Sequence, residues 1–154
     1  MEYTITLRPA QPADLPLLAA LSADWAAEGN VYGYYANSVE DFAAQSCWVA
    51  EQSGRIVGYC CGSFETQERE SSIMAKGTPC FELEELYVLP ALRSGGIGAQ
   101  IMALLEPQLR ERGAEMLLLT AVNRDARRLL DFYEDKAGMS CWSARMFKKL
   151  SSPS

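Results

Sequence analysis

A chain of 154 residues, 49% of them apolar, can bury one core and is long enough for one domain. It has no histidine, which removes Ser-His-Asp and Cys-His catalysis and the commonest metal ligand. Fourteen basic against twenty acidic residues leave a net charge of −6, which disfavours nucleic-acid binding and suits a cationic partner such as an amine.

In chain order, "YTITLRPA" alternates and is rich in β-branched residues, which predicts a strand from about Tyr3 to Arg8. "QPADLPLLAALSADWAAEG" follows. Pro12 and Asp14 suit a first helical turn, Leu15, Leu18, Ala19 and Leu21 fall near helical spacing, and Gly29 closes the helix. "NVYGYYANS" is an aromatic loop, and Ser38 with Asp41 three residues on predicts a short capped helix. Two β-like runs flank Ser53-Gly54, a hairpin signal. The polar stretch from Glu68 to Pro79 reads as a loop, and "CFELEELYVL" as a strand stopped by Pro90. "GAQIMALLEPQLRERG" is an amphipathic helix with Pro107 expected to kink it. "AEMLLLTAV" reads as a strand covered on both faces, "RDARRLLDFYEDKAG" as a helix, and "SARMFKKL" as a last edge strand. The order β-α-α-β-β-β-α-β-α-β is an α/β fold with a mixed sheet, hairpins in the middle and a β-α-β crossover in the second half. One domain over residues 1–150 is expected, with a polar tail at 151–154.

Arg8 and Asp14 interrupt the first apolar positions, so no signal peptide is expected. No run approaches the roughly 18 apolar residues of a membrane span, and the expectation is a soluble cytoplasmic protein without membrane contact. The cysteines (Cys47, Cys60, Cys61, Cys80 and Cys141) are odd in number and contain no C-x-x-C pair, so they read as free thiols. Cys60 and Cys61 should face opposite sides of one strand. No clustered ligand spacing stands out, and no metal site is expected.

The segment "LYVLPALRSGGIGAQIM" carries the chemistry. A strand from Glu82 to Leu89 enters a glycine-rich turn, and a helix begins near Gly96. At such a start the backbone N–H groups lack helical partners and the macrodipole is positive. Gly95, Gly96 and Gly98 present no Cβ, so an anion can approach the backbone, and Arg93 adds a charge with a planar fork of donors. Walker A is absent, and "GIGAQI" has Ile101 where the dinucleotide fingerprint needs its third glycine. What stands is R-x-x-G-x-G after "ELEELYVLP".

This arrangement resembles the GNAT superfamily of acetyl-CoA-dependent N-acetyltransferases. The resemblance extends from "LRPAQPADLPLL" through the central strand and glycine turn to "FYEDKAGM". It implies a GNAT-like mixed sheet flanked by helices, with acetyl-CoA as co-substrate. The pyrophosphate would sit on the turn Arg93, Ser94, Gly95, Gly96, Ile97, Gly98 and Ala99, held by backbone amides. The pantetheine arm would pair with the backbone of Leu86, Tyr87 and Val88 like an added strand, and Asn123 would touch it. The run "LEELYV" is similar to the acidic-acidic-aromatic segment of polyamine acetyltransferases, which makes Glu84 the first candidate base and Glu82 the second. Alternation would put Glu82 and Glu84 on one face and Glu85 on the other. Tyr133 is the candidate acid for the leaving thiolate, although four residues rather than the family's three separate it from Gly138. Trp25, Tyr32 and Tyr35, together with Glu85, would receive the amine through ring faces and negative charge.

The expected activity is direct acetyl transfer to a primary amine of a small molecule, polyamine-like or aminoglycoside-like. A protein amino terminus or lysine as acceptor, and a non-catalytic acyl-CoA-binding domain, remain as alternatives. The plain alternatives are solvated strand-face carboxylates for the glutamates and packing beside Phe132 for Tyr133. The short segment after Gly138 would leave a sheet edge for a second copy, which favours a homodimer.

Overall fold

The structure, a computed structural model, describes residues 4–151. The expected Tyr3 start of the first strand and most of the polar tail lie outside these residues. A five-stranded sheet runs β1 (Thr6–Pro9), β2 (Ser46–Gln52), β3 (Arg55–Thr66), β4 (Pro79–Val88), β5 (Met116–Leu119) in spatial order. The first four strands pair antiparallel, and β5 joins β4 in parallel. Helices α1 (Leu15–Glu28) and α2 (Val39–Ala43) cover one face, and α3 (Ile97–Glu111) and α4 (Ala126–Ala137) cover the other.

Local sequence accounts for most of these elements. A 3-10 turn at Pro12–Asp14 leads into α1, whose end is closed by left-handed Gly29. Ser38 and Asp41 form the expected reciprocal cap of α2. Ser53 and Gly54 both take positive φ, which matches the twist of the β2–β3 hairpin. The face under α3 collects Trp48, Ala50, Cys60, Phe81 and Leu83 beneath Ile97, Ile101, Met102, Leu105 and Leu109 of the helix. The face under α1 collects Cys47, Val49, Tyr59, Cys61 and Tyr87 beneath Leu18, Leu21 and Phe42. Cys60 and Cys61 therefore face opposite sides, as strand alternation requires. Helix α3 continues through Pro107, where the lost backbone bond falls on an exposed side of the helix.

Two elements differ from expectation. β5 is only four residues long and half-buried throughout, because the residues beyond it leave the sheet toward α4. The expected last strand does not form; residues 140–151 are irregular and exposed. Side-chain anchors lead this segment elsewhere. Trp142 Nε1 donates to Ser72 Oγ (2.8 Å) in the β3–β4 loop, and Phe147 meets Tyr32 edge-on with ring centroids 5.5 Å apart. No helix among the described residues is long and apolar enough to cross a membrane.

Candidate functional site

The site begins where β4 leaves β5. The two strands pair only from Cys80 to Leu83, opposite Met116 to Leu119. From Glu84 to Val88, β4 keeps β3 on one side and has no strand on the other among the described residues. Half of the backbone N–H and C=O groups of that stretch, which includes Leu86, Tyr87 and Val88, therefore point at an open edge.

A β-bulge lies at the same point. Cys61 pairs with Glu85 and Gly62 with Leu83, so Glu84 is the extra residue. The bulge reverses the alternation. Phe81 and Leu83 face α3, whereas Glu85 and Tyr87 face α1. The expected division, with Glu82 and Glu84 opposite Glu85, is thereby corrected: Glu82 and Glu85 share the α1 side, and Glu84 stands exposed at the bulge. Burial, and then the charges of Glu84 and Glu65, raise the Glu82 carboxyl above the ordinary range.

The glycine turn follows β4 through a 3-10 turn at Pro90–Leu92. Ser94 (φ 67°) and Gly96 (φ 85°) are left-handed, and Gly96 caps α3 without any side-chain bond. The first helical bond runs from Gln100 N–H to the Gly96 carbonyl (3.1 Å), so the N–H groups of Ile97, Gly98 and Ala99 precede the ladder. A Cβ on Gly96 would meet nothing within 4 Å, so open space lies there. A Cβ on Gly98 would fall 3.2 Å from Phe132 Cζ, so the missing side chain also lets α4 pack closely on α3. Arg93 is engaged by the protein itself. Its Nε donates to the Val88 carbonyl (2.9 Å), its guanidinium grips both Glu28 oxygens (2.5 and 2.9 Å), and it lies 5.2 Å from the Tyr87 ring centroid.

Tyr133 is 8% exposed, among the side chains under α3. Its hydroxyl has no hydrogen-bond partner among the described residues, and burial, with a smaller effect of Cys60, pushes it up to about 12. The extra residue before Gly138 is taken up in a wide last turn: the N–H groups of Gly138 and Met139 both donate to the Tyr133 carbonyl. Asn123 serves a local role, since its Oδ1 accepts from Asp125 N–H (2.8 Å) just before α4. Its backbone bridges Val31, and Arg124 N–H donates to the Asn30 carbonyl (2.8 Å), so the loop after β5 is joined to the loop after α1.

Trp25 packs on Tyr34 and Tyr87, with centroids 5.0 and 5.6 Å apart. Tyr32 carries Arg124 over its ring, and Tyr35 is 86% exposed. Glu85 is only 5% exposed. Its Oε1 accepts from Tyr34 Oη (2.7 Å) and Asn37 Nδ2, and its Oε2 from Tyr59 Oη (2.7 Å). Sequence reasoning did not single out Ser22, Asn37 or Tyr59. Nothing local marks them, because they meet Glu85 only through the bulge and the fold of the loop. Among the described residues no group of three Cys, Asp or Glu could hold a metal.

Residues 15–139 match the sequence model of the family described as "Acetyltransferase (GNAT) family". No curated protein matches the chain by sequence. Among solved structures, the fold is similar to an aminoglycoside acetyltransferase from an uncultured soil metagenomic sample, in complex with trehalose. That pair shares 18% identity over 96% of this chain and 97% of that one, at a TM-score of 0.69. It is similar to a transcriptional regulator from Bacillus halodurans C-125 (22%, 96% and 100%, 0.70). A ribosomal-protein-alanine N-acetyltransferase from Brucella melitensis biovar Abortus 2308 is also similar (20%, 96% and 100%, 0.66).

Proposed function

Since the chain belongs to the GNAT acetyltransferase family, we propose that it moves an acetyl group from acetyl-CoA directly to a primary amine of a small, polyamine-like or aminoglycoside-like molecule. The observation that carries this reading is the open β4 edge, Glu84 to Val88, followed through the glycine turn by a start of α3 that no side chain caps. An extended amide-containing arm suits the first, and a pyrophosphate suits the second. Leu86, Tyr87 and Val88 pair with the arm. The amides of Ile97, Gly98 and Ala99, with the backbone of Ser94, Gly95 and Gly96, receive the phosphates. Asn123 touches the arm, and Arg93 stands beside the turn.

The transfer asks little else of the protein. Two protons leave the ammonium nitrogen as the C–N bond forms and the C–S bond breaks: one passes through a carboxylate to solvent, and the other ends on sulfur. Glu84, exposed at the mouth of the open edge, is the first choice for that carboxylate, and half-buried Glu82 is the second. Tyr133, whose phenol is protonated at neutral pH, donates to the sulfur as charge builds there. Trp25, Tyr32 and Tyr35 receive the amine, and Glu85 adds negative charge on the α1 side of β4. The protein works in the cytoplasm with its cysteines as thiols, and a second copy covers the outer edge of β5.

Calorimetric titration with acetyl-CoA, on the wild type and on Gly96→Glu, tests the reading. Saturable binding lost in the variant, with thiol release on adding spermidine or sisomicin, supports it. Binding without turnover of any amine favours a non-catalytic acyl-CoA-binding domain. No binding overturns both.

A further inference from the structure

Between Gly29 and Ser38 the chain has no helix or regular strand, yet this loop carries the proposed amine-binding rings. It is held at two places. Near its start it is joined to the loop after β5 at Val31 and Asn123. Near its end it is held by one carboxylate. Asn37 N–H donates to Ser22 Oγ (2.8 Å), Ser22 Oγ lies 2.5 Å from Tyr34 Oη, and Tyr34 Oη donates to Glu85 Oε1. The Asn37 side chain reaches the same oxygen. From β3, Tyr59 Oη donates to Glu85 Oε2, and Cys61 Sγ lies 3.9 Å from it.

A carboxylate offers about four acceptor positions. Those of Glu85 face four protein donors, all neutral. No ion pair among the described residues involves it. Taking a proton from an incoming amine would require one of these donors to let go. Glu84, one residue earlier, has no such engagement.

We propose that Glu85 is a positioning residue: its carboxylate pins residues 34–37 of the acceptor loop to the sheet and so sets the affinity for the amine, without itself removing a proton. This rests on the acetyltransferase reading for the word "amine", but the pinning is a property of the protein alone. Few other side chains serve here. Asp is one methylene short of both Tyr34 and Tyr59, and Gln turns two of its hydrogens toward groups that now donate. The burial is tolerated because every oxygen is engaged, and the loop gains one defined conformation in return.

The test uses Glu85→Gln, Tyr34→Phe, Asn37→Ala and the double variant Tyr34→Phe/Glu85→Gln. Amide hydrogen exchange of residues 30–44 is measured without substrate. Steady-state kinetics are measured with acetyl-CoA against spermidine and sisomicin. The expected result is faster exchange in the loop for every variant, and an amine KM raised roughly tenfold. The acetyl-CoA KM should be unchanged and kcat kept within about threefold. The double variant should be little worse than Glu85→Gln alone, because both remove one connected network. If Glu85→Gln does not fold, Tyr34→Phe and Asn37→Ala carry the test from the loop side. A collapse of kcat in Glu85→Gln, with loop exchange and amine KM unchanged, would make Glu85 the base and overturn the proposal. Unchanged loop exchange in all variants overturns it whatever the activity. A wild type that turns over no amine sinks the acetyltransferase reading separately, and the exchange result still decides whether Glu85 pins the loop.

Discussion

A buried carboxylate held by neutral donors makes its own protonation a contributor to stability. Burial raises the Glu85 carboxyl above its ordinary 4.5, and the hydrogen bonds from Tyr59, Tyr34 and Asn37 oppose that only in part. The groups facing it are Tyr34 and Asn37 from the loop, Tyr59 and Cys61 from β3, and Glu84 beside it. The folded state thus binds this proton more tightly than the unfolded chain does. Its contribution to stability is greatest at or below pH 4.5 and declines as pH rises through the raised folded value. Asp14 works in the opposite sense. Its hydrogen bonds from Arg8 hold it below 3.8, so its contribution is present at neutral pH and lost on acidification. Thermal midpoints measured from about pH 2 to pH 8 should separate the two, since the Asp14 contribution is lost below its ordinary value and that of Glu85 above its own. Glu85→Gln flattens the decline on the alkaline side, and Asp14→Asn removes part of the acid sensitivity.

At the scale of elements, the bulge in β4 decides which side chains meet. Gly62 stands opposite Leu83, and a Cβ there would run into the Glu82 carbonyl and lie 2.8 Å from Phe81 Cζ. The close strand approach that accompanies the bulge needs a residue without a side chain. Gly62→Ala is expected to cost about 3 kcal/mol in chemical denaturation, with loop exchange rising as it does in Tyr34→Phe. The glycine turn offers a second case. Glu28 holds Arg93 through a partly exposed pair, so Arg93→Ala should cost no more than about 1 kcal/mol of stability. If the guanidinium also serves the pyrophosphate, Glu28 competes for it. Glu28→Gln is then expected to tighten acetyl-CoA binding severalfold in calorimetry, and unchanged affinity would leave Arg93 as a tie between α1 and the turn.

For the molecule as a whole, the charge of −6 favours a cationic acceptor through the long-range field. The spermidine KM should therefore rise with ionic strength more steeply than that of an aminoalcohol carrying a single charge. The C-terminal segment exposes Trp142, Met146, Phe147 and Leu150, and among the described residues β5 has only β4 beside it. Light scattering of the full chain should return a dimer mass if a second copy covers that edge, and a monomer would leave the segment tied only to Ser72 and Tyr32. The local framework around the candidate site could be read from the chain itself. Local signals sufficed for the caps at Ser38 and Gly29, the Ser53-Gly54 hairpin and the strand–turn–helix around Arg93 to Gly98, because their causes lie within a few residues. The family, too, followed from that contiguous pattern. Contacts between distant segments were not legible. The bulge that carries Glu85 to the α1 side depends on Gly62, more than twenty positions away in a neighbouring strand. The network of Ser22, Tyr34, Asn37 and Tyr59 draws on α1, a loop and β3, and the engagement of Arg93 depends on Glu28. The missing last strand was likewise settled by Trp142 and Phe147 finding partners in remote loops. Periodicity reports which face a residue prefers; only packing decides where a strand shifts register and which buried donor meets which acceptor.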